Sequence, residues 1–134
     1  MNELTLTIPG VPIAKKRPRF ARRGKFVQTY NPQESEEGKF MCIMQAQLNG
    51  HNPIPAGVPI ELNLCFTMPY PASMSAKKRL SAMHTKKPDL DNLIKFMKDC
   101  ANGILWHDDS QVVTVLAIKQ YGHIPGTRVI LRWG

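Results

Sequence analysis

From Pro88 to Ile104 the chain places Leu90, Leu93, Ile94, Met97, Ala101 and Ile104 on one side of a helix, with Asp91, Lys95, Lys98 and Asn102 opposite. A helix with a single apolar face must be covered along that face. Pro88 disfavours helical geometry at Lys87, so the helix begins near Asp89 or Leu90, and Asn102-Gly103 is its stop. The cover comes from segments of period two. Leu4, Leu6 and Ile8 alternate with Thr5 and Thr7, giving a strand from about Asn2 to Ile8 before Pro9-Gly10. Ile60, Leu62, Leu64 and Phe66 alternate with Glu61, Asn63, Cys65 and Thr67 as a second strand. Val112 to Tyr121 and Arg128 to Trp133 are rich in β formers and read as a closing antiparallel hairpin across Gly122 to Gly126.

Another helix starts at Asn31-Pro32, where Asn can cap and Pro fits the first helical position. Glu34, Glu36 and Glu37 then favour the positive end of its dipole. Phe40, Ile43, Met44, Gln47 and Leu48 carry the helical spacing on to Asn49-Gly50. Pro53, Pro55 and Pro59 mark a connector, and Ser75 caps a short basic helix from Ala76 to about Met83. The predicted class is α+β, with a mixed or antiparallel sheet of about four strands packed against two to three helices. At 134 residues the chain fits one domain, residues 1–134. Cys42, Cys65 and Cys100 are odd in number and well separated, which fits buried thiols rather than disulfides or a zinc site. No apolar stretch approaches the roughly 20 residues that cross a bilayer, and the first residues do not resemble a secretory signal. A cytoplasmic protein without a membrane partner is expected.

Charge is distributed unevenly. The net charge is +8, yet all five aspartates lie between positions 89 and 109. Seven of the 18 Lys and Arg residues lie in positions 15 to 25: Lys15, Lys16, Arg17, Arg19, Arg22, Arg23 and Lys25. With no acidic residue among them, and with Pro18 and Gly24 as punctuation, they predict an exposed loop or open hairpin of the kind that forms nucleic-acid-binding arms. Lys77, Lys78, Arg79, Lys86 and Lys87 precede the aspartates, and Lys86 and Lys87 lead directly into them. Such a balance favours phosphate backbones or anionic membranes as partners.

Clustered carboxylates in a basic protein point to a divalent cation meeting a polyanion. Asp89 at a helix entry and Asp91 in the first turn can face one ion, and Lys95, four residues on, shares the face of Asp91. Asp109 closes the set if its segment returns to that end. The helix advances about 17 Å from Asp91 to Asn102 at 1.5 Å per residue. An extended run from Gly103 to Asp109 covers up to about 23 Å, so a straight return reaches; otherwise closure occurs across a dimer interface. Hard oxygen ligands suit Mg²⁺, with Mn²⁺ as substitute, and the inferred chemistry is phosphodiester hydrolysis. Asp99, four residues beyond Lys95, reads as its ion-pair partner. Caps and turns are the simpler reading of any one of these aspartates taken alone.

Asp89-Leu90-Asp91-Asn92-Leu93-Ile94-Lys95, followed by Trp106-His107-Asp108-Asp109-Ser110-Gln111-Val112, resembles the signature of the RusA family of Holliday junction resolvases. The ordered match covers residues 87 to 113, and the strand-helix-strand order before it and the closing hairpin extend the likeness to most of the chain. The resemblance implies a homodimeric, magnesium-dependent endodeoxyribonuclease of a kind often carried by phages and prophages. It acts on four-way junction DNA in recombination and repair and needs no small-molecule cofactor. By that likeness Asp89, Asp91 and Asp109 are the metal-binding catalytic carboxylates and Lys95 is the lysine of the active site. Asp108 matches a neighbouring acidic position. Residues 69 to 87 depart from the family in being longer and more helical than the short basic connector of its compact members. His84 and His107 lie near the site in sequence, with a structural role as the default. Two rival readings are a non-catalytic DNA-structure-binding protein and a nuclease acting on flaps or forks.

Overall fold

The computed structural model describes residues 1–17, 19–24 and 26–134, and for residues 19–23 and 26–30 the backbone alone. The order is β1 (Asn2–Pro9), β2 (Arg19–Arg23), β3 (Phe26–Tyr30), α1 (Glu34–Gln47), β4 (Ile60–Pro69), α2 (Ala76–Arg79) and α3 (Leu90–Ala101). A single 3-10 turn over Asp109–Gln111 then leads into β5 (Val112–Gly122) and β6 (Gly126–Trp133). The fold is α+β: a mixed four-stranded sheet in the order β1-β6-β4-β5, with β2 and β3 forming a separate antiparallel pair. That pair is the open hairpin expected of the basic segment.

The sheet departs from the predicted closing hairpin. β5 and β6 are not neighbours, because β4 lies between them, antiparallel to β6 and parallel to β5. Ladder pairs Leu62–Leu131, Leu64–Val129 and Phe66–Thr127 join β4 to β6, and Leu62–Val115 and Leu64–Ala117 join it to β5. The reason is burial: Ile60, Leu62, Leu64, Cys65, Phe66 and Met68 are all buried, so β4 is most stable in an interior position with a strand on each side. The turn after Gly122 therefore steps across the end of β4, where Pro69 closes the ladder opposite Gly122.

α3 starts after the extended Asp89 and ends at Asn102, with Gly103 at φ 78°, as its caps predict. The preceding Lys87–Pro88 bond is cis. Its buried face is rotated from the predicted stripe: Leu93, Phe96, Met97, Cys100 and Ala101 are buried, whereas Leu90 and Ile94 are only partly covered. Phe96 turns inward because α1 supplies a partner there, Phe40, whose ring meets it edge-on at 5.4 Å and 84°. Between α3 and β5, Ile104, Leu105 and Trp106 continue the core, and the Trp106 indole N–H donates to Asn102 Oδ1 at 2.7 Å.

α1 begins at Glu34, later than the Asn31-Pro32 start predicted. Asn31 Oδ1 instead accepts from the Gln33 backbone N–H, so it caps a turn before the helix and not the helix itself. Phe40, Met44 and Leu48 face the core, while Gln47 bonds both the N–H and the C=O of Thr7 on the outer edge of β1. α2 is capped by Ser75 as expected but stops at Arg79, short of Met83. Among the described residues no helix is long and apolar enough to cross a membrane.

Lys15 ties the basic segment to both long helices. Its Nζ lies 3.3 Å from Glu37 Oε1 and 3.2 Å from Asp99 Oδ2, so Asp99 pairs with Lys15 and not with Lys95. Burial alone would lower the Lys15 pKa, but the hydrogen bonds to Asp99 and Glu37 outweigh it and hold the group above its ordinary value. Replacing Leu93 by Ala is expected to cost about 2–5 kcal/mol in urea unfolding, because the site is closed on every side. Lys15→Met should cost about 1 kcal/mol at neutral pH. Because the folded pKa is raised, that contribution is fully present below the unfolded pKa and fades as pH rises through the folded value. Urea midpoints of the two proteins should therefore converge in strong alkali.

Candidate functional site

The direction of α3 decides which side chains can meet. At its head, Lys119 on β5 donates its ammonium to the carbonyl oxygens of Lys86 and Pro88, at 2.8 and 2.9 Å, and so fixes the residues just before Asp89. At its tail, Gly103 N–H bonds Trp106 O and His107 N–H bonds Ile54 O, while Gln111 Nε2 donates to Pro55 O and Val58 O beside the start of β4. α3 thus runs opposite to the parallel strands β4 and β5.

Asp89, Asp91 and Lys95 gather at the head, all exposed, with Lys86 and Lys87 immediately upstream and also exposed. Asp89 occupies the N-cap position at φ −70° and ψ 143° but does not spend its side chain on capping. Among the described residues no hydrogen bond or ion pair engages the carboxylates of Asp89, Asp91 or Asp109, or the Lys95 ammonium. The other two aspartates are committed. Asp99 holds Lys15, and Asp108 accepts from the Ser110 N–H at 3.1 Å while Gln111 Oε1 accepts from its own N–H, a capping box for the 3-10 turn. Hydrogen bonding by the Ser110 side chain, then by its backbone, holds the Asp108 carboxyl below its ordinary pKa.

Asp109 does not return to the head. The segment after Gly103 folds tightly against Ala101 and Asn102 and then crosses to Ile54, so Asp109 stays by the tail. A helix of 12 residues, about 18 Å long, stands between it and Asp91. Same-chain closure, one of the two routes open from sequence, therefore does not occur. Among the described residues no three His, Cys, Asp and Glu side chains come together to hold a metal ion.

The basic segment approaches the head. The Lys15 N–H donates to Asn92 O in the first turn of α3 at 2.9 Å, and Gln33 brackets the same stretch, its amide donating to Ala14 O and accepting from the Lys16 N–H. Lys16 and Arg17 are exposed there, whereas the charge of Lys15 is already met by two carboxylates. β2 and β3 follow in the chain, with Arg19, Arg22 and Arg23 on β2; the side chains of these three, and Lys25 as a whole, lie outside the described residues. His84 lies against Tyr121 at 4.8 Å, and its Nδ1 is buried without a partner among the described residues. Burial, then nearby Lys119, holds its pKa below the ordinary imidazole value. His107 is exposed beside Asp108.

Gln33 and Lys119 position the site, and neither stood out in the sequence. Gln33 is fully buried and acts through backbone groups 17 and 19 residues away. Lys119 carried a faint signal, since it alternates in step with the partly buried Ala117 and Tyr121 rather than with the exposed Leu116, Ile118 and Gln120.

The chain is 32% identical over 138 residues to the uncharacterized protein YqaN of Bacillus subtilis strain 168, covering 98% of this chain and 97% of that one. It also matches the family described as Endodeoxyribonuclease RusA over residues 9–132, a span that takes in the hairpin, both long helices and the aspartates. With nearly the whole chain inside that match, the protein belongs to the RusA endodeoxyribonuclease family.

Proposed function

We propose that the protein is a Mg²⁺-dependent endodeoxyribonuclease that resolves four-way DNA junctions as a homodimer, by symmetric hydrolysis of phosphodiesters. One observation carries the reading: of five aspartates, Asp99 and Asp108 are used within the fold, and Asp89, Asp91 and Asp109 have no side-chain partner among the described residues. The donor chemistry fits a hard divalent cation, since carboxylate oxygens are the ligands Mg²⁺ and Mn²⁺ prefer. Asp89 and Asp91 would hold it, with Asp109 joining them by closure across the dimer interface, since within one chain it stays at the other end of α3. Bound there, such an ion supplies charge neutralisation at a scissile phosphate.

The chain's own residues do the rest. Lys95, one turn above Asp91 on an exposed face, sits where it can neutralise a non-bridging phosphate oxygen. Lys86 and Lys87 offset the repulsion that two adjacent carboxylates would present to DNA, and Lys119 keeps that stretch in place through its two carbonyl contacts. Lys16, Arg17, Arg19, Arg22, Arg23 and Lys25 form the arm that grips the junction. These contacts go to phosphates, so they set affinity and orientation and carry little sequence information.

Cleavage of a strand-labelled mobile four-way junction tests the reading. Wild-type protein should place symmetric nicks with Mg²⁺ and none after chelation, and Asp91→Asn should lower cutting by about a thousandfold or more while junction affinity stays within a few-fold. Persistent cutting by Asp91→Asn removes the assigned chemistry. Binding without nicking in either Mg²⁺ or Mn²⁺ identifies a DNA-structure-binding protein, and preferential cutting of forks or flaps moves the substrate. Arg17→Ala should weaken junction binding evenly across sequences and reduce the slope of log K against log salt by about one.

A further inference from the structure

We infer that the hollow between the segment 71–80 and the β5–β6 turn receives an unpaired nucleobase of the branched DNA, beside the carboxylates at the head of α3. The inference rests on the reading of the protein as a junction nuclease, and it names the part of the substrate that this second surface holds.

The hollow is built on a row of rings. Tyr121, two residues and about 7 Å beyond Lys119 on β5, shares the face from which Lys119 reaches Lys86 O and Pro88 O. Its ring lies 4.8 Å from His84 and stacks on Tyr70 at 5.3 Å and 15°, and Tyr70 in turn meets His123 at 5.3 Å and 53°. The Arg79 guanidinium stands 4.9 Å over the Tyr70 ring and donates to Met74 O at 3.1 Å and Pro71 O at 3.4 Å, while the Tyr70 hydroxyl donates to Arg79 O. Tyr70, Met74, Ala76, Arg79, Leu80 and His123 line an open hollow of about 500 Å³. Pockets for small ligands span about 300–1,000 Å³.

Connecting β4 to α3 does not account for this construction. α2 buries no residue, Leu80 is 88% exposed, and Ile124, next to His123, is 85% exposed. A segment that served only as a connector would gain by burying Leu80, which instead lines the hollow and stays open to solvent.

The occupant follows from charge and shape. From Leu62 to Pro88 and from Ser110 to Gly134 the chain has no acidic residue, while Lys77, Lys78, Lys86 and Lys87 are exposed. The ligand is therefore anionic. An imidazole and a guanidinium held at fixed places, with Leu80 beside them, suit a flat ring, and the lysines suit phosphates on either side of it. A nucleotide carries both parts. Duplex bases are already stacked, so the base that fits is one freed at the branch point. Lys119 and the stretch it holds stand between the rings and Asp89, so a strand held here by its base passes Lys86 and Lys87 on its way to the carboxylates.

Fluorescence anisotropy without divalent metal tests this on a four-way junction and on the same junction with abasic nucleotides at the branch point. The wild type should bind the intact junction about tenfold more tightly than the abasic one. His123→Ala and Leu80→Ser, both at exposed positions, should bind the intact junction about tenfold more weakly and no longer distinguish the two, with an unchanged circular dichroism spectrum. His123→Tyr should restore the distinction. If the wild type cuts the junction in Mg²⁺ but both variants keep its preference for the intact form, the base site is overturned and the nuclease reading stands. If the wild type neither cuts nor selects branched DNA, the nuclease reading fails, and a short oligothymidine strand decides the hollow: weaker binding by His123→Ala supports it and equal binding overturns it. Capture of phosphatidylserine vesicles by the wild type and not by Leu80→Ser, with junction binding unchanged, makes the hollow a lipid surface and overturns the base.

Discussion

The burial of one face of α3 against β4, β5 and α1 governs the rest of the molecule. Leu93, Phe96, Met97, Cys100 and Ala101 leave that helix a single orientation, and the parallel pairing of β4 with β5 leaves it a single direction. Each side chain's place relative to the site is then fixed by its position along the helix. Asp89, Asp91 and Lys95 stand at the head, with Lys119 beneath them, and Asp108 and Asp109 stand at the tail. The helix dipole acts in the same sense. Its positive end lies under the two carboxylates and under any phosphate that joins them.

Much of this was legible because it is local. The alternation from Ile60 to Phe66, the spacing from Leu93 to Ala101, and the stop at Asn102-Gly103 each depend on residues within a turn or two of one another. What was not legible depends on partners far away in sequence. The false β5–β6 hairpin came from a good turn signal, Gly122 to Gly126, overridden by the demand of β4 for two neighbours. The rotated face of α3 came from Phe40, some 56 residues before Phe96. Gln47, Gln33 and Gln111 bond backbone groups across 17 to 56 residues, and a lone glutamine has no sequence pattern that announces such a role.

The candidate site shows the same division. The choice of Asp89, Asp91 and Asp109 was possible from order and spacing, and the structure then separates them from Asp99 and Asp108 by what each carboxylate touches. Their separation along α3 was not foreseeable, because it depends on whether the Gly103–Trp106 stretch turns or runs straight. It turns, through the bonds of Ala101 O to Ile104 and Leu105 and of Trp106 to Asn102.

The anchoring of the basic segment has a mechanical side. Lys15 is held by Glu37 on α1 and Asp99 on α3, its backbone is bonded to Asn92, and Gln33 clamps the residues on either side. A load applied to the hairpin therefore passes through these bonds into the two helices before it reaches Asp89 or Asp91. The backbone before the hairpin and the head of α3 are thus joined at Lys15 and Asn92, so one cannot shift without straining the bonds that hold the other.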